Sequence, residues 1–242
     1  RDRYIRNYYD KKHIINIFFI GSICRLKRPD IFIDVLNILN ELSSITFNGY
    51  IIGPVLEKSC FEETEKKIKC AKNKGIIKYL GSIPHKKLLS DIYPNIDILF
   101  LSSDKDTLPT VILEAMSFGK VVVARNVDGV PEMISDGIDG IIFKYTATPN
   151  EIAEKILFYI ADNDFLNDIS YAAYLKIREK FMKYKKYKKF VMNLMNLLLD
   201  SRKLSNFNSK KLVNLHHKRK LKKIKEREIA PAFSCWKRIN LM

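Results

Sequence analysis

Residues 14–21 read "IINIFFIG", an apolar run closed by glycine, and the fold turns on whether that pattern returns. It does, in "TFNGYIIG" (46–53), "IIKYLG" (76–81), "IDILFLS" (96–102), "VVVA" (121–124) and "GIIF" (140–143). Several of these runs are apolar at successive positions instead of alternating, the pattern of strands covered on both faces. Between them, apolar spacing predicts amphipathic helices at 29–42, 60–73, 85–93, 109–118, 129–136 and 149–162. This alternation predicts an α/β fold with a doubly wound parallel sheet. Gly21, Gly53 and Gly81 each close a strand run, where the missing Cβ lets backbone or ligand approach. Ligands of open parallel sheets bind beyond the carboxyl ends of the strands, so these loops are expected to line the binding edge.

From Asp164 to Asp200 the sequence reads as long helix, with Phe181, Tyr184, Tyr187, Val191, Leu194 and Leu198 at spacings of three and four. After Ser201 the composition turns to Lys, Arg, Asn and Ser, which reads as an exposed tail. The formal net charge of +16 is concentrated here: residues 201–242 carry +11, residues 176–190 carry +7, and the rest sums to −2. Basicity therefore belongs to the C-terminal part and not to the body. In "KIREKFMKYKKYKKF" (176–190) the aromatics at helical spacing read as a buried stripe with Lys on the solvated face, in preference to a stacking surface for nucleic acid.

Cys24, Cys60, Cys70 and Cys235 form no CxxC pair and have no His at metal-ligand spacing, which predicts free thiols in a reducing compartment and no zinc. No apolar run approaches the roughly 18 residues of a membrane span. The opening "RDRYIRNYYDKKH" has no apolar core behind its charges, so no signal peptide is expected, and the missing initiator Met suggests a fragment.

The stretch richest in chemistry is "DTLPTVILEAM" (106–116). Pro109 suits the first turn of a helix, with Thr107 or Leu108 at the cap. The amides of Thr110 and Val111 would then point out of the helix start and, with the macrodipole, form a site for phosphate. Glu114, a turn further in, would repel a diphosphate and is better placed to accept hydrogen bonds from hydroxyls such as those of a ribose. Asp106 can reach a second set of hydroxyls from the loop. Phosphate in the middle and polyols at both ends is the layout of a nucleotide sugar.

This stretch resembles the acidic motif of the retaining glycosyltransferases of family 4, in which two Glu residues are separated by seven others. Asp106 stands here for the first Glu and Thr107 for the Gly that follows it. "GSICRLKRPD" (21–30) resembles the family's Gly-Arg-Leu-x-x-x-Lys loop, with Lys27 in the place of the Lys that meets the donor diphosphate. Ser22 replaces its Arg, and Arg25 is the candidate substitute. "YLGSIPHKKL" (79–88) resembles the loop beside the base, with Ser82 and Ile83 as neighbours. "GKVVVARNVDGVPEMISDGIDGIIF" (119–143) resembles the segment that follows the motif, and the match spans about 14–195.

The resemblance implies the C-terminal, Rossmann-like donor-binding half of a GT-B glycosyltransferase. Residues 1–13 would be a residual linker from a missing N-terminal acceptor domain, 14–200 the donor domain and 201–242 a basic tail. Lys27, Asp106 and Glu114 would be the catalytic set, for the diphosphate, the sugar hydroxyls and the ribose. The backbone from Leu108 to Val111 would stabilise charge at the reacting end, and Gly21 and Ser22 would border the donor. The implied donor is a nucleotide-diphosphate sugar, with no metal or other cofactor, and transfer retains configuration. The acceptor would be a glycan or lipid-linked, reached through an N-terminal domain or separate subunit. A cytoplasmic location is implied, with the tail as a peripheral contact at the inner membrane face. No catalytic His is implied, and His85 and Glu132 read as helix-start residues. Two rivals stand beside this reading: a GT-B epimerase or phosphorylase, and a non-catalytic basic module binding anionic membrane or nucleic acid through 176–242.

Overall fold

The computed structural model of the protein describes residues 13–71 and 75–182. Among them, β1 (Ile14–Ile20), β2 (Thr46–Ile52), β3 (Ile77–Tyr79), β4 (Ile98–Leu101), β5 (Val121–Arg125) and β6 (Ile141–Phe143) form one sheet. Its order is β3-β2-β1-β4-β5-β6 and every pairing is parallel. All residues of β4 and β5 are buried, which is why these runs are apolar without alternation.

Successive strand residues serve two cores. Ile17, Phe19, Ile98, Phe100, Val121 and Val123 face a layer built from α1 (Pro29–Leu42), α2 (Lys58–Cys70) and α6 (Pro149–Ile160). Phe18, Leu99, Leu101, Val122 and Ala124 face the other, where α4 (Thr110–Ser117) supplies Ile112, Ala115 and Met116, and α5 (Val130–Met133) supplies Val130 and Met133. The long α7 (Asn163–Met182) serves both layers, with Leu166 and Ile169 in the first and Ala173 in the second. Local sequence sets several of these boundaries. Pro29 opens α1, where its missing N–H costs nothing, and Asp30 complements the dipole in the first turn. Thr148 and Glu151 close a reciprocal capping box before α6.

Three elements depart from the sequence reading. The helix expected over 85–93 is a single turn, α3 (His85–Lys87), followed by a π-type turn at Leu88–Ile92 and a 3-10 turn at Tyr93–Asn95. Pro94 has no N–H to continue an α ladder. The helix expected over 129–136 stops at Met133, because the chain turns through Gly137 (φ 73°) and bridges Asp136 to Gly140 before entering β6. In α2 the boundaries shift from 60–73 to 58–70.

Helix α7 is tied down by Ser170, whose hydroxyl donates to the Gly119 carbonyl at 2.6 Å, and by Lys176, whose Nζ lies 2.6 Å from Asp139 Oδ2. Lys176, the first lysine of the basic run, is therefore spent on an internal, mostly buried ion pair. The stripe from Tyr184 onward, the tail at 201–242 and residues 1–12 lie outside the described residues. Among the described residues no helix is long and apolar enough to cross a membrane.

Candidate functional site

Strand β1 connects outward to β2 on one side, while its neighbour β4 connects to β5 on the other. Loops leaving two such strands diverge and open a crevice beyond their carboxyl ends. The β1–α1 loop carries Lys27 and the β4–α4 loop carries Asp106, and the two side chains meet there with Nζ 2.5 Å from Oδ2. Both are mostly buried, at 23% and 18% side-chain exposure, so solvent screens the pair less than it would a surface ion pair. The backbone joins the loops as well. Ser102 Oγ donates to the carbonyls of Lys27 (3.1 Å) and Arg28 (2.7 Å), and the Asp104 amide donates to Leu26 O at 2.8 Å.

Asp106 is held from a third side, its amide donating to Asp128 Oδ2 at 2.9 Å. Thr107 follows, with its carbonyl against Gly129, where a Cβ would stand 2.3 Å from it. Leu108 is exposed and Pro109 buried. Pro109 adopts φ −70° and ψ 93° and is itself the cap, so α4 begins at Thr110 and neither Thr107 nor Leu108 caps it, as the sequence had suggested. The extended ψ at Pro109 keeps it out of the helix. Thr110 and Val111 occupy the first two helical positions, whose N–H groups have no carbonyl a full turn behind them.

Glu114 lies in the middle of α4 with both carboxylate oxygens engaged. Oε2 accepts from the Tyr93 hydroxyl at 2.6 Å, and Oε1 lies 2.9 Å from His85 Nε2. Tyr93 is fully buried and stacks on Phe118, with centroids 5.5 Å apart and planes 12° from parallel. Burial, then the bond to Glu114, pushes the Tyr93 phenol far above its ordinary value, so it remains a donor. Each carboxylate oxygen retains a lone pair for a further hydroxyl. His85 and Tyr93 were not legible as site residues, since nothing local links positions 85 and 93 to 114.

The remaining expected residues divide. Gly21, Gly53 and Gly81 come together: the Gly21 amide donates to Ile52 O at 2.9 Å, and the Gly53 amide to Gly81 O at 3.0 Å. A Cβ on Gly53 would stand 1.9 Å from Gly21 O, so here the close approach is backbone on backbone. Ser22 Oγ lies 3.7 Å from Cys24 Sγ. Ser82 is exposed, and Ile83 is half-buried against the second core. Arg25 does not join Lys27: its guanidinium pairs with Glu63 on α2 at 3.1 Å, and its own amide donates to Glu57. Among the described residues no three His, Cys, Asp or Glu side chains cluster as a metal site.

The family "Glycosyl transferases group 1" matches residues 5–176. An uncharacterized 41.2 kDa protein in the cps region of Klebsiella pneumoniae is 32% identical over 135 residues, covering 56% of this chain and 34% of that protein. A Campylobacter jejuni N,N'-diacetylbacillosaminyl-diphospho-undecaprenol alpha-1,3-N-acetylgalactosaminyltransferase is 33% identical over 90 residues, covering 37% of this chain and 23% of that one. The chain thus spans about a third or less of the length of these relatives. In structure it is similar to Anabaena HepE, solved in complex with UDP-glucose, with a TM-score of 0.64 at 20% identity over 81% of this chain and 52% of that one. It is similar too to the C-terminal domain of a group 1 family glycosyl transferase from Francisella tularensis, with a TM-score of 0.61 at 23% identity over 69% of this chain and 86% of that one. These likenesses show a shared GT-B, Rossmann-like fold. With the family match covering most of its length, the chain belongs to the group 1 glycosyl transferases.

Proposed function

We propose that this chain is the donor-binding half of a glycosyltransferase that moves a sugar, with retention of configuration, from a nucleotide-diphosphate sugar to a glycan or lipid-linked acceptor. The observation that carries the reading is the meeting of Lys27 and Asp106 at the crevice between β1 and β4. A cation and a carboxylate side by side suit a ligand that changes from diphosphate to polyol over a few ångströms.

In this reading Lys27 and the amides of Thr110 and Val111 meet the diphosphate and stabilise the charge that develops as it departs. Asp106 accepts from the sugar hydroxyls, and Glu114 from the ribose. Gly21 and Ser22 border the diphosphate, and Ser82 and Ile83 flank the base. Arg25 points toward Glu63 in an exposed ion pair and is assigned no donor contact. No metal is needed, since helix amides and Lys27 supply the positive field. A second domain or subunit supplies the acceptor, and assembly proceeds on the cytoplasmic face of a membrane.

Ligand-observed NMR with UDP-, GDP-, ADP- and TDP-sugars, without metal, tests this on the wild type and on Glu114→Gln. Binding of one nucleotide class, weakened by the substitution, is expected. Absence of binding to all four at millimolar concentration overturns the reading.

A further inference from the structure

We propose that Asp104 is a positioning residue for donor binding: Arg125 and Arg28 fix its carboxylate, which locks the loop carrying Lys27 to the loop carrying Asp106. The inference deepens the donor-site reading and rests on it.

Arg125 ends β5 and is 4% exposed, yet it bears a charge. Its Nη1 donates to Asp104 Oδ1, and its guanidinium lies 5.0 Å from the Tyr145 ring centroid and 6.0 Å from that of Phe143. Its Nε is buried with no hydrogen-bond partner. Burial pushes the pKa of Arg125 down against the opposing pull of Asp104. An apolar side chain would fill this place at lower desolvation cost. What the arginine provides is a fixed grip on Asp104 from below the loop.

The same Asp104 oxygen lies 3.5 Å from Arg28 Nη1, and the Asp104 amide donates to Leu26 O. Arg28 is oriented in turn, because its backbone is left-handed (φ 51°) and its guanidinium makes three hydrogen bonds of 2.8–3.2 Å to Asp30. One carboxylate therefore joins the end of β5, the β4–α4 loop and the β1–α1 loop. Lys27 is the neighbour of Arg28, and Asp106 lies two residues past Asp104, so both groups assigned to the donor hang directly from this joint. Neutralising Asp104 does more than remove its contacts. It leaves the Arg28 guanidinium on the β1–α1 loop and the Arg125 guanidinium at the end of β5 without the carboxylate between them, and their repulsion pushes the β1–α1 loop away from the joint.

The test uses the full chain carrying Asp104→Asn. Hydrogen exchange without ligand is expected to quicken in 24–28 and 103–108 while β5 stays protected. Affinity for the nucleotide sugar that the wild type binds is expected to fall about tenfold or more. In a background carrying both Lys27→Met and Asp106→Asn the same substitution is expected to cost little further, because its effect passes through those two groups; a general loss of structure would add in full. Arg125→Lys is expected to retain more affinity than Arg125→Met. Should Asp104→Asn not fold, Arg28→Gly carries the same measurements, since glycine relieves the left-handed backbone while removing the charge. Wild-type exchange and wild-type affinity in the variant overturn the inference alone. A wild type that binds no nucleotide sugar overturns the donor reading and this role with it.

Discussion

Lys27 and Asp106, 79 residues apart in the chain, stand with Nζ and Oδ2 at 2.5 Å. Each neutralises the other, so a diphosphate must compete with Asp106 for Lys27. The two substitutions therefore differ in their effect. Lys27→Met is expected to weaken nucleoside diphosphate and nucleotide sugar alike, by about tenfold or more. Asp106→Asn frees the lysine, so the bare nucleoside diphosphate should bind at least as tightly as before while the nucleotide sugar loses its advantage over it. Calorimetric titration of both ligands decides this, and equal losses for the two ligands in Asp106→Asn would count against the assigned roles.

Glu114 serves the fold as well as the site. Glu114→Ala leaves the buried Tyr93 hydroxyl without its acceptor, an expected cost of about 1–3 kcal/mol. Glu114→Gln keeps an oxygen for Tyr93 and is expected to lose less stability. Urea unfolding of the two variants checks the order, and equal stabilities would mean that the Tyr93 bond contributes nothing.

Gly53 and Gly81 are required for different reasons, which substitution separates. At Gly53 a new Cβ meets the Gly21 carbonyl oxygen at 1.9 Å, backbone that cannot give without parting β1 from β2. Gly53→Ala is expected to cost about 2–4 kcal/mol. At Gly81 there is open space, and only the left-handed φ of 76° is strained, so Gly81→Ala is expected to cost roughly 1–2 kcal/mol. Chemical denaturation that reversed this order would refute the close packing of the loops.

The Arg28–Asp30 pair carries a pH signature. Burial pushes the Asp30 carboxyl up, but the hydrogen bonds and charge of Arg28 outweigh it and hold the pKa below its ordinary value of 3.8. A carboxyl depressed on folding contributes stability above its unfolded pKa and loses it as pH falls through its folded pKa. The melting temperatures of wild type and Asp30→Asn should therefore differ at neutral pH and converge as acid is added below 3.8. A difference that persists unchanged into strong acid would assign it to packing.

The layers of the fold were legible because burial on both faces leaves a local trace. Strands β4 and β5 read as unbroken apolar runs for that reason, and α1 was delimited at both ends by Pro29 with Asp30 and by the end of its apolar period at Leu42. Two boundaries were lost where proline changed role. Pro109 caps α4 instead of opening it, and Pro94 divides the segment after β3 into turns that aim Tyr93 inward.

Asp106 and Glu114 could be proposed from spacing within one loop and helix, and Lys27 from the resemblance of its loop to a family motif. The hold of Tyr93 and His85 on Glu114, and of Arg125 and Arg28 on Asp104, depended on the tertiary structure. Each of those contacts joins residues from separate elements, Tyr93 and His85 from the turns before β4 to Glu114 in α4, and Arg125 at the end of β5 and Arg28 in the β1–α1 loop to Asp104. The joint at Asp104 follows from β1, β4 and β5 lying side by side in the sheet, and the hold on Glu114 from the packing of the turns before β4 against α4, neither of which a local pattern encodes.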